Sequence, residues 1–484
     1  MIYLNSKICK VYSTRIEIEP YELGDIPQIE NMTSIWDPRT YQKIPYGYCQ
    51  TDNKIIIPRG ISLMLLQKLT RNPPTICYNT DKPVNMKYRY HMKCEPRDEY
   101  QQQAINFLLS KYGFENGKRY SQLSLNLATG FGKTYCATNA MLQEGVRTII
   151  ITHKEGIKEQ WIKTFEEKTD ILPDRVMNIS GSKDIEDIVN GNNNYDIFLV
   201  NHATISSYAR KYGWDAIAEF FDITGFGLKI IDEVHLCFTN TIYIDFFSNV
   251  RRNYYLTATF ERSDQKETQL FKRVFANTLT FGGDLERRKH VIYNFMLFNS
   301  NPSYADQMSI QTARGVSSYL YADYAFKKDP EHCIMIALMK VMTQCISVEG
   351  KTLIVVPKIE NIEMLTDVLT RKYPDKKIGS ICSKASKVEN ELVKAESEII
   401  ISTIKGIGTG SDIAKLRNLV IMEPHSSKIT STQLIGRLRE YANDKDTYVY
   451  ELVDVGFMAI LNQVSMRLPT VRKKCKEVCK KMVY

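Results

Sequence analysis

The sequence predicts an α/β protein: two parallel sheets covered by helices, one after the other, with a small α+β domain ahead of them. Three observations carry that prediction. Short, continuously apolar runs alternate with helical segments along most of the chain, the pattern of strands buried on both faces. One such run, residues 123–127, leads directly into a glycine-rich turn and a helical segment, 135–143. The pattern then restarts beyond the glycine pair Gly282-Gly283 and the charged run that follows it.

In chain order, residues 1–93 read as an accessory domain, a candidate for DNA binding, rich in Tyr, Pro and Arg. Residues 54–57 read as a strand, Pro58-Arg59-Gly60 as a turn and 61–69 as a short helix. Tyr88, Arg89, Tyr90, His91 and Lys93 interleave aromatic and basic groups. That suits base stacking with backbone contact, and equally a half-buried strand with a solvated basic face. A first sheet domain is expected over 94–283, opened by a helix from Pro96 whose Ala104, Ile105, Leu108 and Leu109 share one face. Its strands read as 123–127, 147–152, 197–201, 228–232 and 253–256. A second is expected over 284–484, with strands at 290–298, 352–356, 377–381, 398–402, 418–422 and 447–452. Residues 299–328 lack periodicity and read as an insertion or helical connector. No internal repeat is visible.

Composition narrows the class. The 484 residues are 43% hydrophobic and 25% charged, ordinary values for a globular protein. No run of about 18 apolar residues exists, so no membrane span is expected. The N-terminus lacks an apolar signal core and reads as a first strand, which points to a cytoplasmic protein whose eleven cysteines are reduced thiols. Cys475 and Cys479 fall on one face of a predicted helix, a weak zinc half-site. The net charge of +9 permits nucleic-acid binding, and Arg467, Arg472, Lys473, Lys474, Lys476, Lys480 and Lys481 gather in a basic tail that either tracks a phosphate backbone or forms a solvated terminal helix.

The chemistry concentrates at strand ends. Thr129-Gly130-Phe131-Gly132-Lys133-Thr134 after the first strand has the strand–turn–helix context of a phosphate-binding loop. Its glycines let N–H groups curl around phosphate oxygens, and the positive end of the next helix faces the same anion. Lys133 is placed to neutralise the β- and γ-phosphates and Thr134 to offer a hydroxyl to Mg²⁺. Leu127 stands where the strict motif has its first glycine. Asp232 and Glu233 end the strand 228–232; one acid there holds Mg²⁺ and its neighbour orients or deprotonates the attacking water. His235 either links the nucleotide to the rest of the machine or caps the turn. Thr257 and Thr259 either bond to the acidic turn and relay nucleotide state or satisfy strand-end backbone. In the second series, Gly406, Gly408 and Gly410 alternate up to Asp412, which suits ribose binding or the orientation of an arginine. Arg437 and Arg439 place two guanidiniums together, and such arginines meeting the γ-phosphate are worth about 10³ to 10⁵ in rate.

LATGFGKT, DEVH, TAT, GIGTGSD and QLIGRLR, in that order, resemble motifs I, II, III, V and VI of superfamily 2 helicases, and the resemblance spans about 95–440. It is nearest to the phage UvsW-type branch-migration helicases and the poxvirus transcript-release helicase. The resemblance implies two tandem RecA-like domains that use ATP and Mg²⁺ and close on ATP and on a nucleic-acid strand. It implies that Gln101 reads adenine, and that Thr152, His153 and Lys154, with Gln160 and Trp161 nearby, grip the strand backbone. Val355 to Lys358 resemble the fourth motif, which adds Lys358 to the nucleic-acid side. The implied substrate is DNA, branched or duplex, with replication, recombination or transcription proteins as partners; the alternatives are an RNA-directed or transcript-release enzyme, or a nucleotide-switched module docking on a polymerase. Abundant Lys, Asn, Ile and Tyr suggest an AT-rich viral or phage genome, hence host cytoplasm. One departure stands out: Glu440 occupies the family's final arginine position. If the segment is helical, Arg439 is rotated by about 100° from that position.

Overall fold

The computed structural model describes residues 8–21, 23–37, 41–45, 48–50, 54–61, 75–78, 83–110, 122–127, 130–257, 265–282, 289–312, 315–382, 385–407, 413–438 and 445–484. The chain divides into two compact units, Met1–Asp284 and Leu285–Tyr484.

The first unit carries two main sheets. The N-terminal one is mixed, built from β1 (Ile8–Val11), β2 (Arg15–Glu19), β5 (Cys49–Gln50), β6 (Ile55–Pro58) and β7 (Thr75–Tyr78) in the order β5-β6-β2-β1-β7. β3 (Ser34–Asp37) and β4 (Gln42–Pro45) form a separate hairpin. This small sheet leans on the body of the unit. Thr14 Oγ1 donates to Asp245 O at 2.7 Å, and Arg15 Nη1 to Ser248 O at 2.9 Å. Ile56 joins a core layer of the larger sheet. Gly60 lies so close to the helix Gln265–Val274 that a Cβ would sit 2.3 Å from Arg273 O. The predicted helix at 61–69 falls outside the described residues.

The larger sheet is parallel throughout: β8 (Gln122–Asn126), β9 (Thr148–Thr152), β10 (Val176–Asn178), β11 (Ile197–Asn201), β12 (Leu228–Asp232), β13 (Arg252–Thr257) and β14 (Leu279–Gly282), ordered β10-β11-β9-β12-β13-β8-β14. Its apolar strands are continuous because both faces are covered. Ile149 and Ile151 enter one core layer while Ile150 enters the other; Phe198 and Val200 part from Ile197 and Leu199 in the same way. Each fully buried side chain of this kind stabilises the fold by roughly 1.5–3 kcal/mol, and neither face tolerates a charge without a partner. Lys229 has one: its Nζ lies 2.6 Å from Asp245 Oδ1 and 2.6 Å from Ser248 Oγ.

The second unit repeats the plan. β15 (Val291–Phe298), β18 (Lys351–Val355), β19 (Ile378–Ile381), β20 (Ile399–Ser402), β21 (Leu416–Ile421), β22 (Thr447–Asp454) and β23 (Glu477–Met482) form a parallel sheet in the order β19-β20-β18-β21-β22-β15-β23. Counting strands within each sheet from its first gives 3-4-2-5-6-1-7 both times. The two units are therefore tandem RecA-like domains, a structural repeat with no visible counterpart in the sequence. The connector at 299–328 resolves into the helix Tyr304–Ser309, the two-residue strands β16 (Gln311–Thr312) and β17 (Gly315–Val316), the helix Ser318–Asp323 and a π-helical turn, Tyr324–Lys328. Pieces so short leave no period to read.

Of the strands in the two parallel sheets, three escaped the sequence reading: β10, β14 and β23. All are sheet edges, half solvated, and so lack a continuous apolar run. β23 corrects the reading of the tail. The last helix, Met458–Lys474, stops before Cys475, and Cys479 lies in β23, so the two thiols do not share a helix face. Arg467, counted among the tail's basic groups, is buried.

Candidate active site

β8 delivers the chain to a tight loop. Gly130 and Gly132 take φ of 83° and 96°, a region that favours glycine, and Gly132 caps the helix Lys133–Glu144. Lys133 folds back so that Nζ donates to Leu127 O at 3.0 Å. Gln101 braces the loop from behind. Its Nε2 donates to Phe131 O at 2.8 Å and its Oε1 accepts Arg97 N–H at 2.8 Å. A Cβ on Gly132 would stand 2.5 Å from that Nε2. Phe131 and Lys133 are buried and Thr134 half-buried.

The acid turn begins where β12 ends. Asp232 Oδ1 accepts Glu233 N–H at 2.9 Å, and Oδ2 accepts Trp161 Nε1–H at 2.9 Å. Burial, reinforced by the Glu233 carboxylate, raises the pKa of Asp232. Glu233 adopts φ 51°, uncommon for a side-chain-bearing residue, a conformation that costs on the order of 1–3 kcal/mol and clusters at functional sites. Among the described residues its Oε2 is buried without a hydrogen-bond partner, and it lies 3.3 Å from His235 Nδ1.

A line of contacts joins loop and turn. Leu127, which accepts from Lys133, donates its N–H to Thr257 O at 3.0 Å. Thr257 Oγ1 in turn lies 2.9 Å from His235 Nδ1. β13, which ends at Thr257, is the strand between β8 and β12, so sheet order itself sets this path. The groups suit a magnesium–nucleoside triphosphate. The glycine turn leaves no room for a side chain beside Gln101, the lysine is tethered by one carbonyl, and the acid pair includes an unbonded oxygen.

The nucleic-acid candidates differ among themselves. Thr152 Oγ1 donates to Asn201 Oδ1 at 2.7 Å, and Lys154 is exposed at the cap of the helix Glu155–Lys168. Burial, Lys154 and His235 push the His153 imidazole down to about 4, so it is neutral near pH 7. Lys358 is ion-paired, 2.6 Å from Asp323 Oδ1 and 3.4 Å from Glu360 Oε1. Gln160 is exposed, but Trp161 is wholly buried and turns toward the acids, away from a strand-gripping role. Tyr90 is buried too and donates to Asp196 Oδ2 at 2.8 Å, a structural contact that removes it from the stacking surface suggested by its neighbours.

Arg437 lies past the helix Lys428–Ile435, in a turn where its N–H donates to Leu434 O at 3.2 Å. Thr129, Thr259, Asp412 and Arg439 lie outside the described residues. Sequence reasoning missed the Trp161–Asp232 bond; the available signal was an indole on an apolar helix face, which needs an N–H partner once buried.

The Type III restriction enzyme, res subunit, family model matches residues 93–262. The transcript termination protein A18 of fowlpox virus (strain NVSL) is 21% identical over 357 residues, covering 72% of this chain and 73% of that protein. The DNA 3'-5' helicase XPB of Mycobacterium tuberculosis is 28% identical over 152 residues, 31% of this chain and 25% of that relative. In fold, the chain is similar to S. cerevisiae Dbp5 bound to RNA and ADP BeF3, with a TM-score of 0.51 and 14% identity over 80% of this chain and 90% of that one. Ordered motifs, a doubled RecA-like sheet and these relatives agree in supporting a superfamily 2 helicase, an ATP-hydrolysing enzyme.

Proposed function

We propose that this helicase uses ATP hydrolysis to move along and remodel DNA, with branched or duplex DNA as its substrate. The observation that carries the catalytic part is the line of contacts from Lys133 through Leu127 and Thr257 to His235, whose Nδ1 lies 3.3 Å from Glu233 Oε2. It gives the phosphate loop and the acid turn a shared support.

In this reading the loop N–H groups of 130–134 bind the phosphates. Lys133 leaves Leu127 O to neutralise the β- and γ-oxygens. Thr134 and Asp232 would hold Mg²⁺, which would supply positive charge against the phosphates. Glu233 orients water in line with the γ-phosphorus and takes its proton as the new P–O bond forms and the bond to the bridging oxygen breaks. ADP and phosphate leave. Arg437 adds positive charge in the transition state, with Arg439 as a second candidate. His235 and Thr257 pass the state of the acid turn to the strand beside it. Thr152, His153 and Lys154 face the nucleic-acid backbone, with Lys358 contributing once released from Asp323. Gln101 braces the loop and has one N–H and one lone pair left for a base.

DNA is preferred by analogy with the named mycobacterial relative, a DNA helicase. The similarity to a transcript termination protein covers far more of the chain, which favours a second reading: release of a transcript from a polymerase on DNA. ATPase rates with single-stranded, duplex and forked DNA and with RNA, side by side, test the first reading. Stimulation greatest with forked or duplex DNA is expected; stimulation by RNA alone, or only by a stalled transcription complex, rejects it.

A further inference from the structure

The helix Glu155–Lys168 connects two parts of the proposed machinery. At its start, Lys154 is the cap residue, and Thr152 Oγ1 lies 3.3 Å from Lys154 O. Two turns later Trp161 points inward, with no exposure to solvent. Phe165 packs edge-on against its ring, centroids 6.0 Å apart and planes at 62°. The indole cannot swing aside without opening the core layer in which both rings sit. Its N–H has its bond at Asp232 Oδ2, a carboxylate oxygen of the acid turn.

A buried indole needs some acceptor, and a backbone carbonyl would serve stability equally well. Here the acceptor is the carboxylate assigned to the cation. The other oxygen of that carboxylate accepts Glu233 N–H, so two N–H groups fix the plane of Asp232. Carboxylate ligands of metals are oriented by such outer hydrogen bonds, and removing one typically lowers metal affinity 10–100-fold.

We propose that Trp161 is the positioning residue for Asp232, and that the helix carrying it couples nucleic-acid occupancy at its Lys154 end to cation binding at the acid turn. This rests on the reading of Asp232 as a Mg²⁺ ligand and of Lys154 as a strand contact. Movement of Lys154 toward a phosphate shifts a rigid helix, and the indole carries that shift to the carboxylate. The sequence placed Trp161 beside the strand-gripping residues; the structure makes it a link between them and the acids.

The test is a Mg²⁺ titration of ATPase rate on full-length Trp161→Phe, with and without a single-stranded oligonucleotide. Phenylalanine keeps a ring in the core and removes the N–H. The half-maximal Mg²⁺ concentration is expected to rise about ten-fold, and the ratio of stimulated to basal rate to shrink. A titration that superimposes on wild type overturns the proposal; a shifted titration with an unchanged ratio overturns the coupling half of it. Asp232→Asn separates this from the underlying reading. If that variant hydrolyses ATP with the normal Mg²⁺ requirement, the assignment of Asp232 itself fails. Should Trp161→Phe not fold, Trp36→Phe/Trp214→Phe leaves Trp161 as the chain's one remaining tryptophan of three. Its emission is expected to shift when Mg²⁺ and ADP are added together, and constant emission overturns the proposal.

Discussion

The two RecA-like units have one topology, and two groups of charges on their sheets are bonded differently. In the first, the polar groups at the strand ends are held but left open: Lys133 has a single carbonyl, and Glu233 sits at positive φ with an unbonded oxygen. In the second, Glu451 of β22 is saturated. Arg467 Nη2 donates to it at 2.6 Å, Arg467 Nη1 at 3.2 Å and Tyr293 OH at 2.5 Å. Arg467 Nη1 also reaches Ser431 Oγ at 3.2 Å, on the helix that leads to Arg437, and His425 Nε2 at 3.2 Å. Under the proposed function, the unbonded oxygen and local strain at Glu233 accompany chemistry, whereas Arg467 with Glu451, like Lys229 with Asp245 in the first unit, holds the frame.

The largest expected effects test the open side. Lys133→Ala removes the loop's cation and should lower kcat by 10³-fold or more, with the melting temperature nearly unchanged. Glu233→Gln should bind ATP and Mg²⁺ through the intact Asp232 and fail to turn over. Single-turnover hydrolysis beside nucleotide binding checks both. Near-normal turnover by Glu233→Gln would mean that the strained acid is part of the frame after all.

The closed side should break in stability first. Arg467→Met strands the Glu451 carboxylate in the core, and losing one partner of a buried pair costs about 3–5 kcal/mol. Burial opposes ionisation of Glu451, but Arg467 and His425 outweigh it and hold its pKa below the usual value. Arg467→Met/Glu451→Leu should recover most of the loss, because no charge is then left unpaired. Denaturant midpoints of the three proteins measure this. If Arg467→Met is as stable as wild type and instead binds DNA weakly, the tail's basic reading regains Arg467.

Most of the fold was legible because buried parallel strands are continuous apolar runs: residues 197–201 and 228–232 coincide with β11 and β12. Three of the four edge strands of the parallel sheets were not, since solvent on one side dilutes the signal, and β23 was taken for helix from its lysines; the fourth, β19, was read at 377–381. The site was legible where spacing along the chain is the chemistry, as in the loop at 129–134 and the pair Asp232-Glu233. It was not where the partner is distant in sequence: Trp161 with Asp232, or Arg467 with His425 and Ser431. Nor can composition show that Lys358 is already occupied by Asp323.

A smaller effect concerns pH. His202, at the start of the helix His202–Tyr212, is buried, with neither ring nitrogen hydrogen-bonded among the described residues. Burial, helped by His153, pushes its pKa down to about 3 from an ordinary 6.5. The unfolded chain therefore binds the extra proton first. Stability from this group is complete above pH 6.5 and falls as pH drops toward 3, by about 2 kcal/mol at pH 5. His202→Leu should lose less stability than wild type between pH 7.5 and pH 5, by that amount, in paired denaturant titrations. Equal losses would show that burial of His202 does not depress its pKa in the folded chain.

The smallest effect is expected at the chain's end. Lys480 and Lys481 are exposed on β23, which pairs with β15 on one side and is the last strand of its sheet on the other. Lysines on such an edge discourage pairing with another chain. If that is their whole role, Lys480→Ala/Lys481→Ala should bind single-stranded DNA within two-fold of wild type. Its dependence of log affinity on log salt should keep the same slope, and its stability should change by no more than about 0.5 kcal/mol. Two phosphate contacts would instead flatten that slope by about 1.4 for a single strand. A binding series at several salt concentrations distinguishes the cases. A flattened slope would place nucleic-acid contacts on the second sheet's edge, and the contrast between a reactive first copy and a supporting second would then need redrawing.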